Sequence, residues 1–120
     1  MPYIDTKKVK EIRDKVKNEF PEIKFSVRRK HYSSILVALV ESAAPYTKEI
    51  NGEYVQINHF YIDEHYQYNK QLKAVLSRID KIMNNDNREL VYDSDYGSVP
   101  HYYTSIHIGK WNEPFKYIGN

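Results

Sequence analysis

Cysteine is absent from the chain, which excludes disulfides and thiolate metal sites and fits a reducing cytoplasm. Glycine is sparse, with four residues scattered along the sequence, so no Gly-rich loop is present to cradle a nucleotide phosphate. No apolar run approaches the roughly 18 residues that span a bilayer, and the N-terminus carries no signal-peptide pattern. No membrane partner is therefore expected. A strong charge imbalance is missing too: 18 Lys and Arg stand against 16 Asp and Glu, for a net charge of +2. That balance permits an acidic partner but falls short of the basic footprint of a dedicated nucleic-acid binder.

What is present is the composition of a soluble globular protein, 41% hydrophobic and 28% charged over 120 residues, which suits one domain spanning residues 1–120. Tyrosine is the excess, at 12 residues. Ser34 to Ser42 is the run in which both members of each alternating pair are apolar, so it reads as a central strand buried on both faces. Each fully buried Ile, Leu or Val there contributes roughly 1.5–3 kcal/mol relative to exposure.

Around that strand the pattern is legible in pieces. Val9, Ile12, Val16 and Phe20 share one face of a helix over Asp5 to Phe20, with Asp5 or Thr6 as N-cap and Pro21 as its stop. Its other face carries Lys7, Lys8, Lys10, Arg13, Lys15 and Lys17 among Glu11, Asp14 and Glu19. A solvated face braced by pairs such as Lys7/Glu11 and Lys10/Asp14 is favoured there over a phosphate-binding one. Lys24 to Lys30 alternates Phe25 and Val27 inward with Lys24, Ser26 and Arg28 outward, and forms a hairpin with the central strand. Asn51-Gly52 between Thr47 to Ile50 and Glu53 to Ile57 signals a second hairpin, with Tyr54 to Ile57 as a third strand paired to the short preceding piece or to the central strand. Asn58 to Tyr68 has no clear period. Leu72, Val75, Leu76, Ile79, Ile82 and Met83 then make the stripe of a second helix, capped by Asn69 and ended by a left-handed turn at Asn84-Asn85. After a polar, acidic stretch from Asp86 to Gly97, Pro100 to Trp111 alternates again, placing Tyr102, Thr104, Ile106 and Ile108 opposite His101, Tyr103, Ser105 and His107; Phe115 and Tyr117 are placed to pack back. The order predicts an α+β fold, a mainly antiparallel sheet of three to four strands with two helices packed on one face.

Candidate chemistry is thinner. Five His invite a metal test, but His101 and His107 are six positions apart on one strand, roughly 20 Å, and His59 with His65 has no recognised ligand spacing. No metal and no cofactor are expected. A His101, Asp95 and Ser98 group is close in sequence only, which enforces no catalytic geometry, so no catalytic residue is assigned. Two surfaces stand out instead. Arg28, Arg29, Lys30 and His31 form the densest local charge, suited either to phosphate contacts or to a solvated edge that blocks aggregation. Tyr103, with His101 and His107, offers an aromatic surface that can stack on bases or fill pockets of a protein partner, extended by Tyr92 and Tyr96.

The stretch Phe20-Pro21-Glu22-Ile23-Lys24-Phe25-Ser26-Val27-Arg28, followed by Lys30-His31-Tyr32-Ser33, and the later Ile106-His107-Ile108-Gly109-Lys110-Trp111 with Pro114-Phe115 resemble large polyvalent protein-associated domain 29, a small domain of mobile genetic elements. The resemblance implies an α+β accessory domain of a phage or conjugative element, acting in the cytoplasm of a bacterial host, and it carries no catalytic residues over. The expected function is therefore non-enzymatic binding, with nucleic acid met by Arg28, Arg29, Lys30, His31, Tyr103, His101 and His107. One alternative is an inhibitor of a host defence system, of anti-restriction or anti-CRISPR type, that meets a host or element-encoded protein through Asp86, Asp93, Asp95, Tyr92 and Tyr96. A second is a small enzyme with a His/Asp site.

Overall fold

The computed structural model describes residues 4–31, 33–58, 61–84, 91–93, 97–99, 102–110 and 112–119, and of residues 63, 91–93 and 97–99 the backbone alone. The first helix, α1 (Thr6–Glu19), starts where Asp5 Oδ1 accepts from the Lys8 N–H at 2.8 Å and buries Val9, Ile12 and Val16. Phe20 follows it, its ring 6.3 Å from that of Phe25. The polar face of α1 is braced by Lys10 with Asp14 at 3.3 Å, and by Glu11 with Lys15 at 3.1 Å and Lys8 at 3.6 Å rather than with Lys7. The Lys15 hydrogen bond and the Lys8 charge hold the Glu11 carboxyl below its ordinary range. This is the solvated face that the charge pattern favours.

β1 (Ile23–Lys30) and β2 (Ser34–Ser42) form an antiparallel hairpin in the register Lys30↔Ser34, Arg28↔Leu36, Ser26↔Ala38, shifted by a bulge at Lys24/Phe25. His31 turns the corner in the left-handed region, φ 56°. β2 is the centre of the molecule. It pairs with β1 on one side and with β6 (Tyr103–Ile108) on the other, and its end also pairs with β7 (Lys116–Tyr117). Both of the latter pairings are parallel, so the sheet is mixed, in the order β1-β2-β6-β3, with β3 being Val55–Ile57 and β7 beside β2, where a mainly antiparallel one was expected. Alternation does not report strand direction. What permits the parallel pairing is the long crossover between β2 and β6, in which the second long helix is formed.

One face of the sheet carries the core. Phe25, Val27, Ile35, Val37, Leu39, Ile106, Ile108 and Ile57 join a single buried cluster with the stripe of α1 and with Leu72, Val75, Leu76, Ile79, Ile82 and Met83 of α3 (Lys70–Met83). α3 is capped by Asn69, whose Oδ1 accepts from the Leu72 N–H at 3.1 Å while its Nδ2 donates to the Tyr46 carbonyl at 2.7 Å. At the other end Asn84 is not left-handed, with φ −106°; its Nδ2 donates back to the carbonyl and carboxylate of Asp80. Tyr102 closes the same end by donating its hydroxyl to the Met83 carbonyl at 2.5 Å. The opposite face of β2 is less covered than its sequence suggests. Ala38 is buried, but Leu36 and Val40 are half-buried.

The connecting segments bring the remaining corrections. Pro45–Ile50 is a 3-10 turn, because Pro45 sits at its first position and Thr47 Oγ1 donates to the Ala44 carbonyl at 2.6 Å. Asn51-Gly52 does make a tight turn, Gly52 at φ 82°, but the strand it leads into, β3 (Val55–Ile57), pairs antiparallel with β6 rather than with either expected partner. α2 (Ile62–His65) is a single turn within the stretch that has no period. β4 (Val91–Asp93) and β5 (Gly97–Val99) pair with each other. Gly109, φ 82°, lies where a Cβ would sit 2.6 Å from the Glu53 carbonyl oxygen, and the chain then returns to bury Phe115.

Candidate functional site

Strand alternation sends every second side chain of each strand away from the helices. The register then sets these outward residues in rows: Lys30, Ser34 and Tyr103; Arg28, Leu36 and Ser105; Ser26, Ala38, His107 and Gln56. Lys24 extends the β1 column and Tyr54 lies one alternation beyond Gln56 at the β3 end. The outer face therefore has a column of cations on β1, an apolar floor on β2, and aromatic rings on β6 and before β3. With strands about 4.8 Å apart, the cation column runs about 10 Å from the β6 aromatics, within reach of the long Lys and Arg side chains.

Exposure and pairing define what this face can do. Tyr103 is 51% exposed and Tyr54 48%. Tyr54 meets the half-buried His107 edge-on, ring centroids 6.2 Å apart at 74°. Burial, and secondarily the positive charge of Lys30, lower the pKa of His107, so near neutral pH it presents a neutral ring. Among the described residues neither Arg28 nor Lys30 has a carboxylate partner, and Lys24 meets Glu41 only at 3.9 Å on an exposed surface, a pairing of little energy. Cations beside open aromatic faces can neutralise phosphate and stack on bases together.

Of the residues singled out in the sequence, Arg28, Lys30, Tyr103 and His107 come together here. Arg29 does not. Alternation turns it to the helix side, where it is half-buried and its guanidinium donates to the Ile4 carbonyl at 3.4 Å. His31 is exposed at the hairpin turn. His101, Asp86, Asp95 and Tyr96 lie outside the described residues; Tyr92 and Asp93 belong to β4, where only the backbone is described. His59 is outside them as well, and His65 stacks on Tyr61 at 5.7 Å. Among the described residues no three His, Asp or Glu side chains gather as a metal would require. Lys24, Tyr54 and Gln56 were not singled out, although the alternation of Tyr54-Val55-Gln56-Ile57 carries the signal for two of them. The tyrosine excess divides: Tyr102 and Tyr66 are buried, whereas Tyr54, Tyr61, Tyr68 and Tyr103 are exposed. Burial and then the Glu53 charge push the Tyr66 phenol up to about 12.

Another cleft, of about 750 Å³, lies between α1 and α3, with Lys15, Asn18, Glu19, Arg78, Lys81 and Ile82 among its walls. Its Arg78 is held by Glu19 at 2.6 Å and its Lys15 by Glu11, so two of its three cations are already paired. It also sits at the C-terminal, negative ends of both helices, which disfavours an anion. The open sheet face is the better site. No helix among the described residues is long and apolar enough to cross a membrane.

The sequence pattern of a family described as large polyvalent protein associated domain 29 matches residues 4–105. The matched range takes in α1, the hairpin, α3 and the part of β6 that holds Tyr103 and Ser105. Neither the curated proteins nor the solved structures contain a match.

Proposed function

Since the chain belongs to the large polyvalent protein associated domain 29 family, we propose that it serves as an accessory domain of a phage or conjugative-element protein and holds single-stranded nucleic acid on its open sheet face. The observation that carries this reading is the register that sets Lys24, Arg28 and Lys30 in one column and Tyr103 and His107 in another, across a floor of Leu36 and Ala38, with Tyr54 edge-on to His107. The backbone of the strand lies along the cations. Its bases lie over Tyr103 and the Tyr54/His107 pair, where each stacked base contributes about 1–3 kcal/mol without regard to sequence. Few cations take part, so affinity is modest and depends on salt. A single strand fits better than a duplex because stacking needs bases free of their partners.

The test is fluorescence anisotropy with labelled single-stranded and duplex oligonucleotides at about 50 mM salt, where screening is weak. Micromolar binding to the single strand, exceeding that to duplex, is the expected result. No binding to either overturns the reading and shifts attention to a protein partner for the acidic segment from Asp86 to Asp95.

A further inference from the structure

The segment that links α2 to α3 carries an aromatic pair that the open sheet face does not use. Tyr66 is only 8% exposed and Tyr68 58%, and their rings lie 6.1 Å apart at 35°. Backbone bonds hold the pair in place: the Tyr66 N–H donates to the Ile62 carbonyl and the Asn69 N–H to the Tyr66 carbonyl, each at 3.0 Å. The buried Asn69 then ties this segment to the 3-10 turn through the Tyr46 carbonyl. That turn carries Glu49, and Glu53 follows it with its N–H on the Ile50 carbonyl at 3.1 Å and its own carbonyl taking the Phe115 N–H at 2.8 Å.

The cluster is unfinished in two respects. Among the described residues neither the Glu49 nor the Glu53 carboxylate is paired with a cation. The Tyr66 ring is buried, yet nothing among the described residues bonds its hydroxyl; since no polar side-chain atom there is both sealed from solvent and unbonded, that hydroxyl opens to the surface beside Tyr68. The sign of the local field agrees. After burial, the Glu53 charge raises both phenols, Glu49 adds to the rise at Tyr68, and no cation acts on either. A field that opposes a phenolate stabilises a positive charge placed at the same point.

We infer that Tyr66, Tyr68, Glu49 and Glu53 form a docking site for an arginine side chain presented by a basic segment of a protein partner. A guanidinium is planar, so it can lie on the exposed Tyr68 ring while its fork of N–H groups donates to the carboxylates and to the Tyr66 hydroxyl oxygen. An ammonium lacks that plane, which makes arginine the better fit than lysine. A metal ion is a poorer occupant, because no third His, Asp or Glu joins the two carboxylates. With Tyr68 more than half exposed the site is an open patch, which suits a side chain delivered by a larger surface over a free small cation. The site shares no residue with the proposed nucleic-acid face.

The test is an NMR titration of the 15N-labelled protein with two blocked tripeptides, acetyl-Gly-Arg-Gly-amide and its citrulline counterpart, which has nearly the same shape without the charge. Millimolar binding of the arginine peptide is expected, with shifts centred on the amides of Tyr66 to Asn69 and Glu49 to Glu53, and about fivefold weaker binding of the citrulline peptide. Glu53→Gln should weaken the arginine peptide about fivefold and leave the citrulline peptide unchanged. Tyr68→Leu should weaken the arginine peptide about two- to fivefold. Circular dichroism melting checks that the variants fold; if Glu53→Gln does not, Glu49→Gln at its exposed position must reduce the preference for arginine instead. Equal binding of the two peptides, shifts that map elsewhere, or an arginine preference that survives in the folded variants overturns the site. Arg28→Ala/Lys30→Ala should leave arginine binding as it is, so the outcome is separate from that of the oligonucleotide titrations.

Discussion

The orientation of Arg29 gives the sharpest test of the proposed interface, because Arg28, Arg29 and Lys30 are consecutive cations that simple charge counting treats as equal. Alternation places Arg28 and Lys30 on the open face and turns Arg29 toward the Ile4 carbonyl. With Lys24, three cations would then face a strand bound as proposed. For single strands the slope of log affinity against log salt is about −0.7 per phosphate neutralised, which predicts roughly −2.1 for the unmodified protein. Raising salt from 50 to 200 mM should accordingly weaken binding about 18-fold. The double variant Arg28→Ala/Lys30→Ala retains one cation, a slope near −0.7 and a loss of only about 2.6-fold over the same range. Arg29→Ala should leave the slope at its original value. Its effect belongs to stability instead, at about 1 kcal/mol, because the hydrogen bond it removes is long and half-exposed. The assay is anisotropy at four or five salt concentrations for the three proteins. If Arg29→Ala flattens the slope as much as the double variant does, the face assignment is wrong.

Tyr103→Ala should weaken single-strand binding by about 1–3 kcal/mol without altering the salt slope, since stacking releases few ions; a changed slope in the same titrations would contradict a stacking role. Leu39→Ala and Leu76→Ala, both fully buried, should each lower unfolding free energy by about 2–5 kcal/mol in urea melts, and a midpoint that hardly moves would misplace the core. Gly109→Ala should also destabilise measurably, because it meets both a left-handed backbone and the Glu53 carbonyl 2.6 Å from the new Cβ; a melting temperature equal to the original would refute that constraint. The pKa of His107 is lowered on folding below its ordinary 6.5, so between those two values the unfolded chain binds more protons. The stability contributed by its neutral state is full above about 6.5 and is lost as pH falls through that value toward the folded pKa. His107→Gln should therefore show a smaller drop in melting temperature between pH 7.5 and 5.5 than the original protein, and an equal drop would remove His107 as the cause.

Much of the fold can be read from local pattern. Val9, Ile12 and Val16 recur at helical spacing, as do Leu72, Leu76 and Ile79, and the caps Asp5 and Asn69 are side-chain acceptors placed before those stripes. Strand existence is equally plain in Phe25/Val27 and in Ile35 to Val40. Strand partnership is not, because alternation is identical in parallel and antiparallel ladders, and nothing local says that β6 rather than the Pro45–Ile50 piece receives β3. The 3-10 turn was hidden for a related reason: Tyr46 to Ile50 has strand-like composition, and a proline with one Thr47 hydroxyl bond decides against it. The site follows the same division. Its β1 and β6 members were visible as a basic cluster and a Tyr/His face. Their adjacency, the exclusion of Arg29 and the addition of Tyr54 and Gln56 needed the register.

The parallel docking of β6 against β2 also sets an order of events. The hairpin of β1 and β2 and the packing of α1 against it involve neighbours in sequence and can form early. The far edge of β2, with the most apolar backbone stretch of the chain, has to wait for about sixty intervening residues before Tyr103–Ile108 arrives. At ribosomal speeds of about 5–20 residues per second, that leaves an unpaired hydrophobic strand for roughly 3–12 s. Such an edge is a template for pairing with another chain. A fragment cut at residue 105, where the family match ends, would lose half of β6 and all of β7, and would carry that nascent-chain hazard permanently. Chains expressed only to residue 105 should partition into inclusion bodies, while those that run on through Tyr117 stay in solution.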